Sequence, residues 1–164
     1  KTSKKILNAI SVTNDTFSNF VSGQLIDAFI LGTLCFIGMN IFKFEYAFLI
    51  SLLIGLTNII PIVGPFLGTI PCAFILFLIN PIKAFWFVVF IILLQQIDSN
   101  IIYPRVVGNK VGLPALWVLV AILIGGGLFG IIGMLVAVPT MSIIYDLTRK
   151  KVNETLETKK INVK

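Results

Sequence analysis

Four long apolar blocks constrain the fold of this chain more than any other feature. They cover about residues 25–42 (block A), 46–80 (block B), 85–97 (block C) and 114–145 (block D). Block A carries one charge, Asp27, and approaches the roughly 20 residues that cross a bilayer. Because 57% of the 164 residues are apolar and only 12% are charged, the chain cannot cover a globule with polar surface. The sequence therefore predicts an all-α, polytopic integral membrane protein.

Blocks B and D are too long to be single straight spans. As one helix, block B would extend about 50 Å, whereas the hydrocarbon core is about 30 Å thick. Both blocks also contain residues that interrupt helices. These are Pro61, Gly64, Pro65, Gly68 and Pro71 in block B, and Gly125, Gly126, Gly127, Gly130, Gly133 and Pro139 in block D. We predict Gly/Pro-broken or re-entrant helices, with block B broken between Asn58 and Pro71, and leave four and six crossings open.

Positive charge is concentrated at the two ends of the chain. Lysine and arginine number 13 against 7 acidic residues, and most lie in residues 1–5 and 149–164. This placement follows the positive-inside rule, and no basic, aromatic-interleaved stripe is present, so no nucleic-acid partner is expected. We expect both ends in the cytoplasm.

Three regions follow from the charge pattern. Residues 1–21 are expected to form an amphipathic interfacial helix, with a partly ordered polar lead-in as the alternative. Residues 22–145 are the predicted transmembrane domain, and residues 146–164 the charged cytoplasmic tail.

Arrangements of residues typical of catalytic and metal sites are missing from the sequence. It contains no histidine, which excludes His-based triads and ordinary zinc sites, and it has no phosphate-binding GxxxxGK[ST] loop. Cys35 and Cys72 stand in apolar runs, where they behave as small hydrophobic residues. We expect neither an enzyme nor a bound metal or cofactor.

Polar residues near the helix interruptions are the candidate transport site. Backbone groups freed by a broken membrane helix are tolerated where they line a cavity, as in transporters with discontinuous helices. We expect the Asn58–Pro71 break to meet a polar linker after block C. The alternatives are that the glycines only allow close helix packing, as in Gly64-x3-Gly68 and Gly126-x3-Gly130, and that the linker is a solvated loop. The binding candidates are Asn58, Pro61, Gly64, Pro65, Gly68, Pro71, Gln95, Gln96, Asp98, Asn100, Pro104 and Arg105; the helix-break or packing candidates are Gly126, Gly127, Gly130, Gly133 and Pro139.

Asp98 is the candidate carrier of a proton or cation. An ionisable residue at membrane depth costs about 2.5–3.5 kcal/mol and usually faces a bundle interior or water. Arg105 is its expected partner or an anion contact, and Asn58 and Gln96 are expected to hydrogen-bond a small polar solute. Asp27, near the start of block A, is expected at the interface, where it reaches headgroups or favours a helix N-terminus.

Four stretches form an ordered series of motifs. They are VSGQLI (21–26), NIIPIVGPFLGTIP (58–71), QQIDSN with YPRVVG and GLP (95–114), and GGLFGIIGMLVAVP (126–139). In order and separation they resemble the AI-2E transporter family, from about residue 20 to 145. Many relatives in that family carry glutamate where this chain has Asp98.

This resemblance implies the C-terminal half of a multi-pass transporter of the bacterial or archaeal cell membrane. It implies export of a small polar signal such as autoinducer-2, with sodium/proton antiport in some members. The implied partners are the lipid bilayer, a small polar solute, and a proton or sodium ion. The family also implies a homo-oligomer, a pentamer, with elevator-like movement of the broken helices. A truncated or non-transporting membrane component is the remaining alternative.

Overall fold

The computed structural model describes residues 2–108 and 113–158, and these are almost entirely helical. The helices are α1 (Thr2–Ile41), α2 (Ala47–Thr57), α3 (Gly64–Ile79), α4 (Pro81–Ile97) and α5 (Ala115–Thr158), and two π-helical turns follow α4 at Asp98–Ile102 and Pro104–Gly108. No strand occurs in the described ranges. The all-α prediction is confirmed.

In the part of the chain that the structure describes, three helical segments are long and apolar enough to cross a membrane: Thr13–Ile41, Pro81–Val107 and Leu116–Asp146. Large apolar side chains such as Phe29 and Ile132 remain exposed on them, as expected for a surface that meets lipid instead of water. The polytopic membrane protein predicted from composition is confirmed.

The chain divides into two compact units. One consists of Lys1–Phe20 with Lys110–Lys164, and the other is Val21–Asn109. Helix α1 runs from Thr2 to Ile41, so residues 2–21, which were expected to form a separate amphipathic helix, belong to the same helix as block A.

In the unit Val21–Asn109, α1 packs antiparallel to α2 and α4. Small residues set its distance from α2, because a Cβ on Gly32 would lie 3.4 Å from the Cα of Gly55. On the α4 side, the ring of Phe90 covers Gly38, and a Cβ on Gly23 would lie 3.0 Å from the carbonyl oxygen of Val106. Helix α3 packs against α2 and α4. The apolar core lies among these four helices and consists of Leu31, Cys35, Met39, Ile50, Ile54, Cys72, Leu76, Ala84, Phe87, Ile91 and Leu94.

Block B folds into a helical hairpin. Helix α2 ends at Thr57 and α3 begins at Gly64, with two glycines of α3 lying against α2. A Cβ on Gly64 would lie 2.0 Å from the carbonyl oxygen of Thr57, and one on Gly68 would lie 2.4 Å from its hydroxyl. The break is confirmed but is shorter than predicted. Pro65 lies in the first turn of α3, where its missing amide costs nothing, and Pro71 lies inside the helix.

Block D also folds back on itself. Its helix is interrupted at Phe129 (φ −133°, ψ 15°) and Gly130 (φ 61°, ψ −142°), a conformation that favours glycine. The two arms run antiparallel, because the rings of Trp117 and Tyr145 meet with centroids 6.3 Å apart. The broken helix expected from the length of block D is confirmed.

The glycines of block D have different roles. Gly125 and Gly133 form the contact between the arms, since a Cβ on Gly125 would lie 2.3 Å from the carbonyl oxygen of Gly133. Gly126 lies against Met134, while Gly127 and Gly130 have no such neighbour within 4 Å. The Gly126-x3-Gly130 packing pair is therefore wrong, because Gly130 makes the turn instead of the contact. Pro139 is buried inside the second arm.

The linker expected after block C is helical over residues 98–108. The amide of Tyr103 donates to the carbonyl oxygen of Asp98, which is the wide spacing of a π turn. Val107 is fully buried, whereas Ile101 is exposed and Ile102 and Val106 are half-buried. The predicted loop is corrected for this stretch, and its continuation at residues 109–112 lies outside the described residues.

Candidate functional site

Two aspartate side chains meet inside the unit Val21–Asn109. Asp27 of α1 is 0% exposed and Asp98, directly after α4, is 5% exposed. Their carboxyl groups are close enough to share a hydrogen bond. Two ionised carboxylates lose their water on burial and repel each other, so one bound proton or cation stabilises the pair. The pair is therefore a place where the protein can take up a positive charge.

Because of their spacing along the helices, both aspartates lie on buried helix faces. Asp98 follows Leu94 by four residues and continues the buried stripe of α4 formed by Ala84, Phe87, Ile91 and Leu94. Asp27 precedes Leu31 by four residues on the buried stripe of α1. Asp27 neither reaches outward to headgroups nor lies at a helix N-terminus, the two positions expected from the sequence, because α1 begins at Thr2 and Asp27 is buried on the face that packs against other helices.

Asn58 connects the α2–α3 break to this pair. Its Nδ2 donates to Asp27 Oδ2 at 2.9 Å, and both side chains are buried. Its carbonyl oxygen, one of those left without an intrahelical partner at the end of α2, accepts from Gln24 Nε2 at 2.8 Å. Helix α1 thus holds the break through two buried hydrogen bonds.

Three oxygen atoms of this cluster are buried without a hydrogen-bond partner: Gln24 Oε1, Asp27 Oδ1 and Asp98 Oδ1. Buried polar atoms are nearly always hydrogen-bonded, so unpartnered ones point to something that binds them. Carboxylate and amide oxygens suit hard cations, and the carboxylates also accept a proton. Tyr103, half-buried between the two π turns, lies near enough to both carboxyl groups to interact with them electrostatically.

Other polar residues predicted after block C lie outside this cluster. Gln96 and Asn100 are exposed and bond to each other, with Asn100 Nδ2 donating to the Gln96 carbonyl oxygen at 2.7 Å. Arg105 is exposed and donates to the carbonyl oxygen of Ile101 at 3.2 Å, within its own turn. The expected Asp98–Arg105 pair is replaced by Asp98–Asp27. The Nε2 of Gln95 is buried without a partner.

The predicted glycines and prolines shape the surroundings. Pro61 is buried in the break, Gly64 and Gly68 are buried against α2, Pro65 is half-buried, Pro71 is exposed, and Pro104 opens the second π turn. Of the predicted binding residues, Asn58 and Asp98 lie in this cluster, and their contacts with Gln24 and Asp27 were not predicted from the sequence.

A cavity of about 470 Å³ lies between α1 and α2. Its walls include Phe29, Phe36 and Leu56. The hydroxyls of Thr33 and Ser51 in its wall already donate to carbonyl oxygens of their own helices, at 2.8 and 3.0 Å. The cavity therefore offers an apolar surface, whereas the buried polar residues Gln24, Asn58, Asp27 and Asp98 lie in the Asp27–Asp98 cluster.

The sequence model of the protein family described as AI-2E family transporter matches residues 1–153 of this chain. The chain belongs to the AI-2E transporter family. It is 38% identical to YueF of Bacillus subtilis over 132 residues, which are 80% of this chain and 36% of YueF. It is 33% identical to YrrI of the same organism over 131 residues, 80% of this chain and 37% of YrrI. The names of both describe them as candidate transport proteins.

This AI-2E chain spans about a third of the length of the curated relatives it matches. A Thermotoga maritima relative, also named as a candidate transport protein, is 27% identical over 131 residues, which are 79% of this chain and 40% of that protein. No solved structure matches the chain significantly. The family resemblance of the sequence motifs is confirmed.

Proposed function

We propose that this chain is the part of a gradient-coupled membrane transporter that binds the coupling proton or cation between Asp27 and Asp98. The observation that carries the proposal is the meeting of two buried carboxyl groups, from α1 and from the end of α4, at the α2–α3 break. Buried ionisable residues in membrane proteins are expensive and mark ion or proton pathways. Membership of a transporter family supports the same function.

The net charge of the Asp27–Asp98 pair depends on what it binds. When both carboxylates are ionised the pair carries two negative charges, and binding one proton or one sodium ion removes one of them. Exchange of a proton for a sodium ion leaves the charge of the pair unchanged, so the two compete for one place. A site of this kind couples the movement of the protein to either gradient.

The solute proposed for the whole transporter is a small polar signal molecule such as autoinducer-2, moved outward. Family resemblance supports this choice. Cation/proton antiport is the second candidate. It is favoured by the three unpartnered oxygen atoms of the cluster and by the apolar lining of the neighbouring cavity, which suits no polar solute.

The proposed setting is the cell membrane, with both ends of this segment in the cytoplasm, and a homo-oligomer as the functional form. Terminal clusters of lysine and arginine support the orientation. The family supports the oligomer.

Flux from proteoliposomes tests the proposal. The 164-residue chain is reconstituted alone and in place of the matching segment of YueF, with autoinducer-2 inside and dyes for pH and sodium. We expect Asp98→Asn and Asp27→Asn to abolish gradient-driven flux. Asp15→Asn, an exposed aspartate on the same helix, is the matched control and should leave flux unchanged.

Each outcome decides between functions. Efflux of the solute supports the exporter, and a dye signal without efflux supports antiport. Unchanged gradient-driven flux in Asp98→Asn contradicts the coupling role. Absence of flux in both forms favours a non-transporting membrane component.

A further inference from the structure

Asn58 makes two hydrogen bonds that lead in different directions. Its side-chain Nδ2 contacts the carboxyl group of Asp27, whereas its main-chain oxygen is held by Gln24. Asn58 is also the first residue of the break between α2 and α3. One residue therefore connects the charged pair to the backbone of the interrupted helix.

We propose that Asn58 is a positioning residue that transmits the occupancy of the Asp27–Asp98 pair to the α2–α3 break. This inference rests on the proposed function, since it takes the pair as the site of the coupling ion. An empty, ionised Asp27 holds the Asn58 side chain firmly. A proton or cation on the pair weakens that bond and releases the break.

The hydrogen bond between Asn58 and Asp27 is stronger when Asp27 is ionised than when the pair is occupied, and this difference is what the break responds to. A hydrogen bond to an ionised carboxylate is roughly twice as strong as one between neutral groups. The groups that face Asp27 are Gln24 on α1, Asn58 at the break, and Asp98 and Tyr103 beyond α4. None of these is a cation, so the charge of Asp27 changes only through its own occupancy or that of Asp98.

The break between α2 and α3 contains strained backbone, which surrounding contacts must keep in place. Ile62 has φ 65°, in the left-handed region that β-branched residues rarely adopt. Backbone strain of this kind persists only where surrounding contacts impose it, and it is frequent at switch regions. The Gln24 and Asn58 hydrogen bonds fix the residue at which this strained segment begins, so under this proposal their loss allows residues 59–63 to relax.

Amide hydrogen exchange of residues 59, 60 and 62–64 measures this release. Amides of Ile60 and Gly64 donate to carbonyl oxygens within the hairpin at 3.0 and 2.9 Å, so their exchange reports local opening. The full chain is reconstituted in lipid nanodiscs and exchanged at acid and alkaline pH, and with and without sodium, with rates corrected for intrinsic exchange. In the wild type we expect occupancy by proton or sodium to speed exchange about fivefold, the factor that one weakened hydrogen bond represents.

Two variants separate transmission from ordinary stabilisation. Asn58→Leu removes the bond to Asp27 and should exchange fast under all conditions, with a ratio near one between occupied and empty states. Gln24→Met removes the hold on the backbone together with one amide oxygen of the cluster, so with the proton as the bound charge its exchange should be faster throughout while the fivefold ratio between acid and alkaline pH remains. If Asn58→Leu fails to fold, judged by labelling of the buried thiols of Cys35 and Cys72, Asn58→Ser replaces it.

A purely structural role for Asn58 would give faster exchange in Asn58→Leu with the ratio retained, and that result overturns the inference. A wild-type ratio of one overturns it as well. If flux in proteoliposomes still depends on Asp98 in that case, the proposed function stands. If dependence on Asp98 is lost, the proposed function fails on its own evidence.

Discussion

The hydrogen bond between Asn58 and Asp27 gives a quantitative test of the charge on Asp27. The bond is 2.9 Å long and joins two buried side chains on different helical elements. Substituting each residue by leucine, singly and together, forms a double-mutant cycle. Leucine keeps much of the volume and removes the polar atoms, so the coupling free energy isolates the contact.

The expected coupling free energy depends on whether the carboxyl group is ionised. Neutral hydrogen bonds between membrane helices contribute about 0.6 kcal/mol on average. Bonds to a charged group contribute about 1.5–3 kcal/mol. We expect the higher range at alkaline pH in the absence of sodium, and a fall of about 1 kcal/mol or more when protons or sodium occupy the pair.

Reversible unfolding in mixed micelles provides the measurement. Loss of helix is followed by circular dichroism, and exposure of Cys35 and Cys72 by thiol labelling, since both thiols are buried in the folded chain. Coincidence of the two transitions establishes that one cooperative step is observed. A coupling free energy that stays near 0.6 kcal/mol at every pH and sodium concentration refutes the claim that Asn58 responds to charge on Asp27.

Four further substitutions test other parts of the fold. Gly125→Ala should destabilise the α5 hairpin by about 1–3 kcal/mol, because the added Cβ meets the backbone of Gly133. Gly127→Ala should stabilise the hairpin by about 0.5–1 kcal/mol, because the space around Gly127 is open and alanine favours the helix. Thermal unfolding of the two variants compares these effects. Asn80→Ala should cost about 1 kcal/mol, since its Oδ1 accepts the first amides of α4, and equal unfolding midpoints would contradict this. The hydrogen bond from Lys83 holds the pKa of Glu45 below its ordinary value, so the pair stabilises the fold above the ordinary pKa and this contribution is lost as the pH falls through the lowered pKa. The stability of a Glu45→Gln variant should therefore match that of the wild type only in acid. The difference in stability should be smaller in high salt.

Local signals in the sequence predicted the helix interruptions well. Glycines and prolines act on the backbone of their own helix, so the breaks in blocks B and D follow from neighbouring residues alone. The partner of each glycine could not be found in the same way. Gly125 contacts Gly133 because the turn falls at Gly130, and the position of that turn depends on the packing of two arms.

The candidate site shows a similar limit. Asp98 stands out because it is a lone acid beside an apolar helix, but its partner depends on which helix packs against α4. Asp27 carried a signal that was available in the sequence, since it lies four residues before Leu31 and eight before Cys35 on one helical stripe. The pairing of Asp98 with Arg105 was expected because their charges are opposite. In the structure Arg105 is exposed, and Asp98 meets a second acidic side chain, Asp27.

Infrared difference spectroscopy of the reconstituted chain tests the Asp27–Asp98 site most directly, because it observes the carboxyl groups themselves. Addition of sodium at constant pH should produce a carboxyl difference band in the wild type and in the exposed-site control Asp15→Asn. We predict that this band is lost in Asp27→Asn and equally in Asp98→Asn, since the two side chains bind one proton or cation together. A band that persists unchanged in both variants would contradict the account.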